Sequence, residues 1–271
     1  MSRPAPASGL HAAPSLVDVN KPLRLVYVGS DDAAGARPAA RMYVADDGGP
    51  LRTIVGNAHS HWVGEEHSTK TGLSNPYDGP TEQALIIESE LRADVLTYRT
   101  QALRLKLMVG TSVKQWICDH LRQIRHGNGY LIEAIECKPD LSYIGAPAER
   151  QKMLAIKRVI EGMGWKFRVI YEKQVRGGGE RQINFGRIYA RNTAPVTDDA
   201  MAAFERLVDR SPIVTVRTLR EALSSERTSG EAMVQALICM GRVEFDLDRL
   251  LFDGSHVRLL PAARFTPQIW F

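Results

Sequence analysis

Apolar and polar residues alternate with a period of two over "LRLVYVG" (23–29) and "ARMYVAD" (40–46), which predicts two strands joined by a Gly/Asp/Ala/Pro-rich loop. Between 49 and 80 neither strand nor helix period is kept and Gly, His, Asn and Ser are frequent, so long loops are expected. From Thr81 the period lengthens. In "TEQALIIESELRADV" the residues Ala84, Ile87, Leu91 and Val95 recur along one helical face, with Thr81 as the expected N-cap after Pro80. Three strand-like runs follow at 97–109, 113–125 and 130–139. Next come an amphipathic helix over 147–164, closed by Gly164, and a strand over 165–172. The predicted order is helix, three strands, helix, strand.

A glycine-rich stretch, "RGGGERQ" (176–182), reads as a linker. Beyond it the pattern gives a capped helix over 197–210, a short strand over 213–218, two helices in "LREALSS" and "SGEAMVQALICMG", and two strands over 242–260 about a turn at Asp253 and Gly254. Helix, strand, two helices and a hairpin are the parts of a winged-helix domain. The expected organisation is a flexible arm over 1–20, a domain over 21–192 and a winged-helix-like domain over 193–271.

With 271 residues, 44% of them hydrophobic, the chain can bury a substantial core. It has no run of about 18 apolar residues and no secretory signal, so a cytoplasmic location is expected, with no membrane partner. Cys118, Cys137 and Cys239 lack CxxC spacing and read as reduced core thiols. Charge divides the chain unevenly. Residues 1–90 carry 7 basic against 11 acidic side chains, residues 91–191 carry 19 against 9, and residues 192–271 carry 9 against 11. The middle third therefore holds all the excess positive charge, as a surface facing a polyanion would.

That middle third also holds the candidate chemistry. "YLIEAIECKP" (130–139) ends with Glu136 and Lys138 on one strand face, and "HGNG" (126–129) predicts a hairpin with the preceding strand. If Asn128 and Gly129 form the turn, Asp119 stands opposite Lys138. If the pairing shifts so that 126–129 closes the loop, Asp119 stands opposite Glu136. Either register gathers Asp119, Glu136 and Lys138 on one face, where the bland alternative is a cross-strand salt bridge. Two carboxylates this close repel unless a cation separates them, and a hard divalent ion such as Mg2+, with Mn2+ as substitute, takes carboxylate and phosphate oxygens. Lys138 beside it could orient or deprotonate a water and offset charge on a phosphate, which suits phosphodiester hydrolysis.

Helix, three strands, helix and strand, with Asp on the second strand and Glu-x-Lys on the third, resembles the PD-(D/E)xK nuclease core. More narrowly the chain is similar to TnsA, the endonuclease subunit of heteromeric cut-and-paste transposases, over roughly residues 80–260. The resemblance implies an α/β restriction-endonuclease-like core (αβββαβ) followed by an α+β winged-helix domain, in a bacterial, DNA-associated, Mg2+-dependent endonuclease that cuts one strand at each transposon end. Its implied partners are double-stranded DNA, a DDE-type transposase and an AAA+ ATPase. Carried over by position, Glu82 completes metal binding, with Glu88 and Glu90 competing for that role; Asp119 and Glu136 are the metal carboxylates and Lys138 the catalytic lysine. Gln101 matches the Gln entering the first strand. Cys118 and Ala102 stand where the family often has proline. A stand-alone restriction or repair nuclease and a non-catalytic winged-helix regulator are the alternatives.

Arg99, Arg104, Lys106, Lys114, Arg122 and Arg125, with Gln101, are the expected nucleic-acid contacts. The helix over 229–241 has no Lys or Arg, so protein docking is favoured over groove reading there. His59, His61 and His67 lie close in sequence but have no regular element to fix them as a metal site, and "GEEHSTKTG" lacks P-loop spacing.

Overall fold

The computed structural model describes residues 15–18, 21–30, 38–55 and 62–269. Six strands come first: β1 (Ser15–Asp18), β2 (Leu23–Gly29), β3 (Ala40–Ala45), β4 (Arg52–Val55), β5 (Val63–His67) and β6 (Ser74–Asp78). Helix α1 (Pro80–Leu91) precedes β7 (Val95–Thr100), β8 (Arg104–Val109), β9 (Ser112–Ile117), β10 (His120–His126) and β11 (Gly129–Lys138). A 3-10 turn (Leu141–Ile144) leads to α2 (Pro147–Gly162), β12 (Lys166–Tyr171), α3 (Glu172–Arg176) and α4 (Gly179–Tyr189). The rest is α5 (Asp198–Arg210), β13 (Ile213–Thr215), α6 (Val216–Leu223), α7 (Arg227–Cys239), β14 (Val243–Glu244) and β15 (His256–Leu259). The fold is mixed α/β.

The central sheet has the order β12-β11-β10-β7. β10 is antiparallel to both β7 and β11, and β12 joins parallel to β11 after the α2 crossover. A second four-stranded sheet, β2-β3-β8-β9, is antiparallel throughout. The two runs expected as single strands, 97–109 and 113–125, are each divided. β7 and β10 pair in the central sheet, whereas their continuations β8 and β9 pair in the second. One long ribbon thus turns a corner between sheets. At the corner Gln101 adopts φ 52°, and the strands are held by Gln101 N–H to Asp119 O (3.2 Å) and Cys118 N–H to Leu103 O (3.0 Å). Apolar residues continue through the bend, so periodicity alone does not reveal it.

Helix α1 starts two residues earlier than a Thr81 cap would place it. Gly79 is the N-cap with no side-chain hydrogen bond, Pro80 takes the first helical position and Thr81 is buried inside the helix. Proline suits that position because its missing N–H has no helical partner there. The loops expected over 49–80 contain β4, β5 and β6. β6 hides from a periodicity reading because it buries polar and apolar residues together: Asn75 is 2% exposed and its Oδ1 accepts Thr100 N–H at 3.3 Å. Part of the expected arm, Ser15–Asp18, pairs antiparallel with β4, and the rest of residues 1–20 apart from these four lies outside the described residues.

The linker read over 176–182 is instead the junction of two helices. Only Gly177 (φ 58°) and Gly178 separate α3 from α4. Asn184 on α4 anchors the C-terminal segment, donating to Leu247 O (3.1 Å) and Arg249 O (2.8 Å) and accepting Leu251 N–H (3.0 Å).

In the C-terminal part, Thr197 caps α5 as expected by accepting Ala200 N–H, and the strands form a sheet of order β13-β15-β14. The expected turn at Asp253 and Gly254 is formed, closed by Ser255 N–H to Phe252 O (2.9 Å), but it sits at the end of a longer connection rather than directly between the two strands. The strands β14 and β15 are joined by residues 245–255, and Asp253 faces Arg217, Arg220 and Arg227 at 3.6–3.9 Å. Helix α7 is packed rather than presented, with Val234 through Cys239 all buried.

One apolar cluster runs across the irregular stretch between α4 and α5. It joins Leu85, Ile135, Ile170 and Phe185 to Phe204, Leu219, Leu237 and Val257. A second cluster, with Met42, Leu105, Trp116, Ile156 and Phe167, fills the space between the sheets and α2, and Ile269 closes it. Near that end Gln123 of β10 donates to Thr266 O (3.1 Å) and accepts Gln268 N–H (2.8 Å).

Because the first cluster is continuous, Phe204→Ala, at a fully buried site, should cost roughly 3–5 kcal/mol. It should lower the melting transition reported by tryptophan fluorescence, to which Trp116 contributes, as much as that reported by far-ultraviolet circular dichroism. An unchanged fluorescence transition would show that the two parts unfold separately.

Candidate active site

The β10–β11 ladder sets the geometry. His120 stands opposite Ile135 and His126 opposite Gly129, so Asp119, one residue before β10, falls beside Glu136. This is the second of the two registers considered above. The turn residues are Gly127 and Asn128, with Gly127 at φ 55°, a conformation glycine takes without cost at the first position of a type II′ connection. Starting the turn one residue early moves Lys138 off Asp119 and brings Glu136 there.

Asp119 is 7% exposed and Glu136 5%. Asp119 Oδ2 accepts the Cys137 backbone N–H at 2.8 Å. Glu136 is held at both oxygens: Oε2 accepts the Trp116 indole N–H at 2.5 Å, and Oε1 pairs with Lys138 Nζ at 2.5 Å. The Trp116 ring is itself braced edge-on against Phe167, 5.7 Å between centroids. From α1, Glu82 Oε2 accepts Asp78 N–H (3.0 Å) and the Gln101 amide (3.3 Å).

The three carboxylates sense one another. Burial, and then the charges of Glu136 and Glu82, push Asp119 well above the usual carboxylate range against the Cys137 hydrogen bond. Burial pushes Glu82 up to about 8, with Asp78 and Glu136 adding to it and the Asp78 N–H and Arg52 opposing. Burial works against the Lys138 charge, but the adjacent Glu136 outweighs it and holds the ammonium above its ordinary value. Lys138 is therefore protonated at neutral pH.

The structure separates the three candidates on α1. Glu88 pairs with Arg92 at 3.1 Å. Glu90 is fully buried and accepts from Ser68 Oγ, Thr69 Oγ1 (2.7 Å) and Tyr98 OH (2.7 Å). Glu82 alone of the three enters the electrostatics of Asp119 and Glu136.

The donor chemistry fits a hard divalent cation, since carboxylate oxygens predominate and one ammonium balances little of their charge. Gln101 adds to this: its amide Oε1 is buried beside Glu82 and has no hydrogen-bond donor, an acceptor that a cation or its water would satisfy. Among the described residues, however, no three His, Cys, Asp or Glu side chains converge as a ready ligand set, because Glu136 is turned to Trp116 and Lys138.

The expected phosphate contacts divide. Lys106, Lys114 and Arg125 are exposed and Arg104 half-buried. Arg122 is corrected: its side chain is 1% exposed and ion-paired with Glu133 at 2.9 Å, so it cannot face a polyanion. Arg99 is buried at 6% exposure and Gln101 fully so. Both sit on the corner, where the fold closes over them. Sequence reading missed Trp116, Asp78 and Arg52. An indole buried at the end of β9 carries no periodic mark that distinguishes a carboxylate donor from a core aromatic. Of the three histidines weighed above, His59 and His61 lie outside the described residues, and His67 ends β5.

Glu82 yields a stability test. Its folded pKa is raised from 4.5 to about 8, so between those values the unfolded state loses a proton that the folded state keeps, and stability falls as pH rises through that window. Glu82→Gln removes the effect. The variant should melt higher than wild type at pH 8.5, by roughly 2–4 °C for each kcal/mol relieved, and equally at pH 4. A constant difference across that range would reject the assignment.

Compared with known proteins, the chain matches no family model and no curated protein.

Proposed function

We propose that this protein is a metal-dependent DNA endonuclease with a PD-(D/E)xK-type core, acting as the strand-cutting subunit of a heteromeric transposase. The observation that supports it most directly is the meeting, at the ribbon corner, of Asp119, Glu136 and Lys138 with Glu82 from α1, in an enclosed site whose carboxylates repel one another. Buried like charges cost stability, and they are retained where function needs them.

Glu82, Asp119 and Glu136 would hold Mg2+ or Mn2+. The bound ion would act as a Lewis acid on a phosphate oxygen and activate a water. Lys138, as a protonated ammonium, offsets charge developing on the phosphate rather than removing a proton from water. Trp116 fixes the Glu136 carboxylate by its indole N–H. Taking the central-sheet strands alone, α1, β7, β10, β11, α2 and β12 follow the αβββαβ order, with β12 parallel to β11, which supports the core assignment, and the order and pairing of α5 to β15 support a winged-helix-like part. With α7 packed inside, that part is suited to docking by other surfaces more than to reading a groove. Transposon-end DNA, a DDE transposase and an AAA+ ATPase are the partners this reading proposes.

The absence of three converged donors among the described residues favours a second reading, a regulator in which the central site is idle. Two measurements separate them. Asp119→Asn and Lys138→Met should each lower Mg2+-dependent nicking of duplex DNA, in the presence of the transposase partner, by roughly 10²-fold or more. Asp119→Asn should at the same time raise the melting temperature, since it relieves like-charge repulsion. Calorimetric titration with MnCl2 should show binding by wild type and none by Asp119→Asn. Equal cleavage by both variants, or equal Mn2+ binding, would overturn the catalytic reading.

A further inference from the structure

The solvent face of the second sheet carries a charge pattern unrelated to the carboxylate site. That face carries Arg41, Arg104 and Lys106, whereas Arg24 and Lys114 pair with the core-facing Val44 and Leu107 and belong to the other side; strands β2, β3, β8 and β9 contain not one Asp or Glu. Arg41 stands directly opposite Lys106 across β3 and β8. Like charges in that relation are destabilising, and no acidic side chain of the sheet lies between them. The Lys106 ammonium lies 5.5 Å from the Tyr43 ring centroid instead. Around this pair is a groove of about 520 Å3 whose walls include Val28, Met108 and Val113. Val28 and Val113 are 62% and 67% exposed, unusual for valine.

We propose that this groove binds single-stranded DNA. Two cations set among apolar walls match a strand whose phosphates pair with Arg41 and Lys106 while unstacked bases lie against Val28, Met108, Val113 and the Tyr43 ring. A duplex, about 20 Å across with its bases stacked inside, enters a groove of this size poorly. A second copy of the chain is disfavoured, since face-to-face pairing would oppose cations to cations. The inference goes beyond the cleavage reading and does not depend on it: in β9 the groove residue Val113 faces solvent, whereas Trp116 faces the core and Glu136.

The test is fluorescence anisotropy with a labelled 20-nucleotide oligothymidylate and a duplex of equal length, in EDTA, using the full-length Asp119→Asn protein so that cleavage plays no part. Single strands should bind more tightly than duplex. Arg41→Glu should weaken that binding at least tenfold and lower the salt slope by about 0.7 for each phosphate no longer neutralised. It also places opposite charges across β3 and β8, so its melting temperature should hold or rise, which separates a binding defect from a folding defect. Arg41→Glu/Lys106→Glu should weaken binding further. Unchanged affinity in Arg41→Glu, or no binding by the parent protein, would overturn the proposal. So would self-association that Val113→Ser abolishes while DNA affinity stays the same, since the face would then belong to a protein interface. Failure of the wild-type protein to nick duplex DNA, with oligothymidylate binding intact, would count only against the nuclease reading.

Discussion

A two-stranded ribbon that serves two sheets has to interrupt its ladder where it turns, and the residues at the turn lose regular partners. In this protein the interruption falls at Gln101 to Leu103 on one strand and Cys118 to Asp119 on the other, with two backbone hydrogen bonds spanning it. Gln101 accepts a left-handed backbone conformation that a side-chain-bearing residue adopts only when the surroundings over-determine it. Its backbone is committed on both sides, N–H to Asp119 O and C=O to Leu51 N–H. Freed from the ladder, Asp119 can reach the Cys137 N–H on β11, and the side chains of α1 and β11 meet it there. Without the corner the central sheet would continue and the carboxylates would be spread along it.

The cost of that meeting is electrostatic. Asp119 is driven toward the neutral form by burial and by the charges of Glu136 and Glu82, and Glu82 by burial with Asp78 and Glu136 adding to it, while Lys138 pairs directly with Glu136 and offsets only a small part of the effect on Asp119. The surrounding packing carries the penalty. Buried ion pairs nearby follow the opposite logic: Glu133 is fully enclosed but faces Arg122, Lys166 and Arg168, which hold its carboxyl below the usual range against its burial. The two sites on one strand thus differ in charge balance: Glu133 stands among three cations, whereas Glu136 and the neighbouring Asp119 and Glu82 have one ammonium near them, and the site short of cations is the candidate for chemistry.

Much of this was legible in the sequence where one physical signal dominated. The helical period of α2, the alternation in β2 and β3, and the Thr197 cap all decide locally, and the structure follows them. The pairing of Glu136 with Lys138 was legible because strand geometry puts alternate residues on one face. What stayed hidden was set by tertiary contacts. The bend within 97–109 leaves no gap in apolar residues, and β6 carries a proline and a buried asparagine that read as loop. The triglycine of 177–179 reads as flexible, but helix α4 begins inside it because Phe185 and Ile188 have a core to enter. Arg122 looked like a surface cation because charge alone does not say that a glutamate waits opposite in the sheet interior.

The clasp of Gln123 on residues 266–268, with Ile269 inserted behind it, ties a strand of the central sheet to a segment more than 140 positions downstream. On a ribosome synthesising in sequence order, the sheet emerges long before the piece that seals its apolar side. Until that piece arrives, the layer around Met42, Leu105 and Trp116 lacks one wall. The maturation of the pocket that Trp116 helps shape is therefore a late event, reached only after the C-terminal helices have been made.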